Sequence, residues 1–281
     1  MTISIQKTDY TTPLRAQTVI RTAPLRQMPY DCVCFKGSKT NIESAKLASD
    51  CAILAGKSYP DKFYRPLPEN YKDVSKNFSE HRASLRLNGV VAKVFLNKQD
   101  KRCVVAYAGT YNLPEFVKNA RSALTGRARA NFSMAENLFQ SVKKKYPGKE
   151  IIVVGHSAGG GLAQYVAAKN DIAALTYAPA GIGRFLKELD IPQKSYPKII
   201  NYIASKDPVT EPFFENIGRV FRLPIKLTHS LYKFVGEEAY KNCTELTKAE
   251  FSKISPSEMA LSHLQIMLKR LTSGASKFLK K

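Results

Sequence analysis

Ile151-Ile152-Val153-Val154-Gly155-His156-Ser157-Ala158-Gly159-Gly160-Gly161 decides the reading of this chain. Four β-branched residues in a row suit a strand buried on both faces. A Gly-x-Ser-x-Gly follows, and Leu162-Ala163-Gln164-Tyr165-Val166-Ala167-Ala168 then continues as a helix-compatible run. A serine on so tight a strand-to-helix turn needs strained backbone angles, and flanking glycines let neighbouring chain pass without a Cβ clash. The turn lifts the Ser157 hydroxyl above the sheet edge. It also aims the first helical N–H groups, with the positive end of the helix dipole, at a reacting carbonyl.

The sequence on either side reads as alternating strands and helices. Thr40-x-x-Glu43 is a capping box opening a helix over Asn41–Ala55, with Gly56 as its stop. Its inner face, Ile42, Ala45, Ala48, Ala52 and Ala55, is small and suits close packing. Residues 57–82 read as a loop-dominated excursion. Leu87–Leu96 and Cys103–Ala108 read as an antiparallel hairpin joined by residues 97–101. Asn131–Tyr146 carries Phe132, Ala135, Leu138, Phe139 and Val142 on one helical face, stopped by Pro147-Gly148. Ala173–Tyr177, Lys198–Ile203 and Gly218–Pro224 follow as strands, and Ser255–Leu271 as a closing helix. Strand and helix in alternation, with short buried strands, argue for an α/β fold: a mostly parallel central sheet flanked by helices.

A serine hydroxyl needs a histidine base, and that base needs a carboxylate to fix its tautomer. Asp207, just past the predicted strand ending at Ile203, is the candidate acid. Of the four histidines, His81 precedes the serine and His156 sits inside the turn, which leaves His263 and His229. His263 is favoured, since Ser262-x-x-Gln265 can cap a helix and leave it in the first turn; His229, soon after a strand, is the alternative base. The oxyanion would be held by the backbone N–H of Ala158 and by the loop after Gly109, where Thr110 stands.

Gly109-Thr110 after a Val-rich strand, the Gly-His-Ser-Ala-Gly-Gly turn, Ala178-Pro179-Ala180-Gly181, Asp207-Pro208-Val209 and a late histidine together resemble the class 3 lipase family of α/β-hydrolases. The resemblance runs from about Asn41 to Leu271. It implies an α/β-hydrolase fold acting on acyl esters of lipids through an acyl-enzyme, without metal or cofactor. Ser157 would be nucleophile, Asp207 acid and His263 base, with Thr110 and Ala158 at the oxyanion hole. Two positions depart from the family: Ala108 where an Arg is usual, and Ala158 where Leu is frequent. Tyr111–Ala130 would then be a lid, apolar through Leu113, Phe116, Val117 and Leu124 and cationic through Lys118, Arg121, Arg127 and Arg129. On this reading the chain divides into an N-terminal arm (1–39), a hydrolase domain (40–273) and a basic C-terminal tail (274–281).

Charge points to the partner. The 281 residues carry 44 Lys and Arg against 23 Asp and Glu, a net charge of +21, which points to an anionic partner such as nucleic acid or an acidic membrane surface. The apolar and cationic lid Tyr111–Ala130 suits an anionic lipid interface, and so a phospholipid over neutral fat. No nucleic-acid partner is expected, because no recognition motif accompanies the charge. Five unevenly spaced cysteines (Cys32, Cys34, Cys51, Cys103 and Cys243) read as reduced thiols, hence a cytosolic chain, or one exported without an N-terminal Sec signal. No stretch approaches transmembrane length. The competing functions are a soluble esterase or thioesterase for small substrates, and an inactive hydrolase fold that binds anionic membranes.

Overall fold

The β-branched runs of the sequence form the middle of one eight-stranded sheet. The computed structural model describes residues 39–60, 63–81, 90–100, 102–109, 127–205, 207, 215–226, 228–247 and 250. In chain order the main elements are helix α1 (Lys39–Lys57), strands β1 (Tyr71–Asp73), β2 (Ala92–Asn97) and β3 (Cys103–Tyr107), helix α2 (Arg127–Lys145), strand β4 (Ile151–His156) and helix α3 (Ala158–Asn170). Strands β5 (Ala173–Tyr177), β6 (Ile199–Ser205), β7 (Arg219–Lys226) and β8 (Thr244–Leu246) complete the sheet.

The strands lie side by side in sequence order. β3 to β7 are mutually parallel, while β1, β2 and β8 are antiparallel to their neighbours. Every residue of β3, β4 and β5 is buried, as a strand covered on both faces requires. Successive crossovers that each step to the next parallel strand with one handedness keep their connections on one face. Accordingly α2, α3 and the 182–196 segment share one core cluster with Cys103, Val105, Ile151 and Val153. Helix α1 covers the opposite face, burying Ala48, Cys51, Ala52, Leu54 and Ala55.

Two tyrosines tie the sheet to these two layers. The Tyr107 hydroxyl donates to the Ala135 carbonyl of α2 at 2.8 Å, and the Tyr177 hydroxyl donates to the Ala48 carbonyl of α1 at 2.5 Å. Both rings are completely buried, and burial raises both phenols well above their ordinary range, so each remains a neutral donor.

Several expectations meet corrections here. The excursion over residues 57–82 contains β1 and a 3-10 turn at Ser75–Phe78, and β8 was not anticipated at all. Three-residue strands are too short to display a period, and register with a neighbour creates them: Tyr71 lies opposite Asn97, and Val220 opposite Leu246. The cysteine reading also changes. Cys51 and Cys103 are free and buried, with burial pushing the Cys103 thiol up to about 12 and Cys51 higher still. Cys243 is disulfide-bonded, so the five are not all reduced thiols, and the cytosolic expectation loses that support. Spacing along the chain carries no sign of a pair that folding brings together. Among the described residues no helix is long and apolar enough to cross a membrane. The expected helix Ser255–Leu271, the basic tail and all of the N-terminal arm except Lys39, which opens α1, lie outside the described residues.

Helix α3 sits against the sheet with almost nothing between them. A Cβ on Gly155 would lie 2.1 Å from the Gly159 carbonyl oxygen, and one on Gly159 would lie 2.2 Å from the Tyr107 carbonyl oxygen. Both obstacles are backbone and cannot swing away. Gly155→Ala or Gly159→Ala is therefore expected to cost about 3 kcal/mol or more, read as a lowered midpoint in urea unfolding, because the helix must lift off β3 and β4.

Candidate active site

Ser157 joins β4 to α3 with φ 58° and ψ −127°, a conformation that non-glycine residues avoid and that costs about 1–3 kcal/mol. Three backbone hydrogen bonds hold it there. Its N–H donates to the Tyr177 carbonyl at 3.1 Å, and its own carbonyl accepts from Gly160 and Ala180, each at 2.9 Å. The Ala178-Pro179-Ala180-Gly181 motif thus has a structural task, bracing the strained serine from below.

Asp207 follows β6 by two positions and is completely buried. A polar network fixes that strand beneath α3. The Gln164 amide donates to Asn201 at 2.8 Å and to Asn216 at 2.6 Å, while Thr176 donates to Asn201 at 2.6 Å. Asn201 in turn donates to the Ile217 carbonyl at 2.7 Å. Apart from the Asn216 Nδ2, which is buried without a partner, the side-chain polar atoms of this network are hydrogen-bonded, and their bonds favour one alignment of α3, β5, β6 and the start of β7.

The imidazole between Ser157 and Asp207 is His229. Its Nδ1 lies 3.1 Å from each carboxylate oxygen of Asp207, and its Nε2 lies 2.9 Å from the Ser157 hydroxyl oxygen. An ionised carboxylate only accepts, so the proton sits on Nδ1 and donates to Asp207. Nε2 is then bare and accepts from the serine hydroxyl. Ser157 is 3% exposed, which leaves the arrangement largely shielded from bulk water.

A second histidine braces the first. His156 Nε2 lies 2.9 Å from the His229 carbonyl oxygen, and its Nδ1 lies 2.7 Å from the Tyr59 hydroxyl. A carbonyl only accepts, so Nε2–H donates to His229 and the Tyr59 hydroxyl donates to Nδ1. The end of β3 closes the same corner: a Cβ on Gly109 would meet the Tyr59 hydroxyl at 2.5 Å and the Ser157 Cβ at 3.0 Å. Nothing larger than glycine can pass the serine there.

Of the residues nominated from sequence, Ser157, Asp207 and the alternative base His229 come together. Ala158 opens α3, where the first N–H groups have no intrahelical acceptor. Thr110, His263 and most of the expected lid lie outside the described residues. Tyr59, Gln164 and Asn201 went unnoticed in the sequence, since a lone Tyr, Gln or Asn gives no signal until the fold supplies its partner. Among the described residues no group of three His, Cys, Asp or Glu side chains is disposed to hold a metal ion.

Burial, and after it the neighbouring His229 imidazole, lowers His156 from 6.5 to about 3. Between these values the unfolded chain binds a proton that the folded one refuses. The stabilising share of neutral His156 is therefore complete above about pH 6.5 and is lost as pH falls toward about 3. His156→Gln keeps a donor and an acceptor but no titration. Its unfolding free energy should fall less steeply than wild type below pH 6.5, by up to about 1 kcal/mol per pH unit in urea titrations.

A family model described as phospholipase-like, Tle-like phospholipase domain, matches residues 43–197, more than half of the chain and the part that holds Ser157. Over 98 residues the chain is 33% identical to an extracellular phospholipase A1 of Serratia liquefaciens. That stretch is 35% of this chain and 30% of the relative, so the match spans under a third of that relative's length. Among solved structures, a triacylglycerol lipase of Penicillium expansum matches 74% of this chain and 85% of its own at 13% identity and a TM-score of 0.47. The Lip2 lipase of Yarrowia lipolytica matches 60% of this chain and 73% of its own at 17% identity and a TM-score of 0.39. The lipase resemblance carried by the motifs and the match across the serine turn agree, and the chain belongs to the Tle-like phospholipase domain family.

Proposed function

We propose that this protein is a serine hydrolase cleaving acyl esters of phospholipids at an anionic membrane surface. The observation that carries the reading is the His229 imidazole hydrogen-bonded to Ser157 at 2.9 Å and to Asp207 at 3.1 Å. Ser157 attacks the ester carbonyl while His229 Nε2 takes its proton. Asp207 steadies the imidazolium that forms, and Nδ1 keeps its own proton throughout. The oxyanion of the tetrahedral intermediate is stabilised by the Ala158 N–H, aided by the α3 dipole, and by Thr110. Collapse expels the alcohol, which leaves with the proton held at Nε2, and the fatty acyl group remains on Ser157. Water then repeats the sequence: His229 takes its proton, the acyl bond breaks, and serine recovers the proton.

His229, rather than His263, is the base on this reading, because it meets both partners at hydrogen-bonding distance. A phosphorylated head group is favoured over neutral fat by the net charge of +21 and by the family's phospholipase-like character. Ser157→Ala and His229→Ala are each expected to lower fatty-acid release from phosphatidylglycerol vesicles by about a thousandfold or more. His263→Ala should change it less than about threefold; the reverse pattern would return the base to His263. Equal or faster turnover of triacylglycerol would overturn the head-group assignment. Release undiminished in Ser157→Ala would overturn the mechanism.

A further inference from the structure

Among the described residues only two large apolar side chains are exposed, Tyr64 at 83% and Tyr232 at 39%. They lie 168 positions apart in sequence, yet they are joined. The Tyr64 N–H donates to the Tyr232 hydroxyl at 3.1 Å, and the Tyr232 ring stacks on Phe63 with centroids 4.4 Å apart. Isolated exposed aromatics are ordinary, whereas these two converge from distant segments into one local aromatic surface.

Its position says which partner. Tyr232 lies on the 3-10 turn Leu231–Phe234, which begins two residues after His229. Phe63 and Tyr64 follow the short segment that starts at Tyr59, whose hydroxyl hydrogen-bonds His156 beside the serine. Both halves of the patch are thus rooted in chain that builds the proposed active site. Arg65 and Lys233, the immediate neighbours of the two tyrosines, are exposed cations. Lys57 donates to the Phe63 carbonyl at 2.9 Å and adds a third positive charge at the base of the patch. Tyrosine rings favour the depth of lipid head groups, and flanking Lys and Arg favour anionic ones.

We infer that Phe63, Tyr64 and Tyr232, flanked by Lys57, Arg65 and Lys233, form the surface through which this protein docks onto an anionic bilayer. The inference rests on the lipid-hydrolase reading for its purpose, and it specifies where the bilayer meets the molecule. Aromatic rings enter the head-group layer, cations meet lipid phosphates, and the ester arrives beside the loop that carries His229.

The chain contains no tryptophan, so one introduced indole reports alone. In full-length Ser157→Ala protein, which leaves vesicles intact, Tyr64→Trp should show a blue-shifted emission with phosphatidylglycerol–phosphatidylcholine vesicles and little shift with phosphatidylcholine alone. Lys144→Trp on α2, across the sheet from α1, is the comparison and should not shift. In a sedimentation assay on the same anionic vesicles, Tyr64→Ser should weaken binding about tenfold. Arg65→Gln with Lys233→Gln should weaken it by about tenfold or more, and Lys143→Gln with Lys144→Gln should not. No shift at position 64, or equal losses from both pairs of charge substitutions, would overturn the docking surface and assign binding to diffuse charge. Labelling of wild-type Ser157 by a fluorophosphonate separates the two proposals. Labelling without the shift leaves the hydrolase and removes the surface, whereas the shift without labelling leaves a membrane-binding surface and removes the hydrolase.

Discussion

The close seating of α3 on β3 and β4 is the constraint on which the rest depends. With Gly155 and Gly159 both bare, the helix backbone approaches to where a methyl group would collide at 2.1–2.2 Å. That approach leaves one residue, Ser157, to turn the chain from strand to helix, and it does so only at φ 58°. A residue so placed would relax if it were free to. Hydrogen bonds from Gly160 and Ala180 to its carbonyl, and from its N–H to Tyr177, restrain it from both neighbouring layers. The strain is thus local while the support is distributed over β4, β5 and the turn after β5.

The buried polar groups extend that support to Asp207. Gln164 leaves α3 to reach Asn201 on β6 and Asn216 ahead of β7, so helix and acid-bearing strand are tied by side chains rather than by apolar contact alone. Apolar packing tolerates small slips, whereas a hydrogen-bonded amide loses about 1–3 kcal/mol when left unpaired in the interior. The network therefore sets the height of β6, and with it the position of the carboxylate two residues beyond its end.

Much of this was legible in the sequence, and for identifiable reasons. β3, β4, β5 and the first part of β6 are β-branched or apolar runs bounded by turn residues, so a buried parallel sheet was readable from composition alone. The Gly-x-Ser-x-Gly stretch announced its geometry because bare glycines on both sides of a serine, between a strand-like and a helix-like run, suit a turn that brings the two backbones into contact. The histidine that meets Ser157 and Asp207 was less legible. His229 lies in a loop after β7, a place fixed by tertiary hydrogen bonds and not by any pattern around it, and the order Ser, Asp, His is satisfied equally by His263. β1 and β8 were unreadable because three residues carry no periodicity. The disulfide of Cys243 was unreadable because only folding brings its partner near.

The two histidines show why neighbouring imidazoles need not compete. His156 and His229 have ring centroids 4.8 Å apart, close enough for two imidazolium charges to oppose each other strongly. Each ring, however, meets one group that can only accept, a carbonyl oxygen for His156 and a carboxylate for His229. That partner fixes the single proton on one nitrogen and leaves the other nitrogen bare. His156 spends its bare nitrogen on the Tyr59 hydroxyl and, being buried, stays uncharged down to about pH 3. The bare nitrogen of His229 faces the Ser157 hydroxyl at 2.9 Å, while its other nitrogen meets the buried Asp207 carboxylate. The histidine adjacent to serine in sequence therefore serves the one adjacent to it in space: by remaining neutral it holds the backbone of His229 without placing a charge beside that ring.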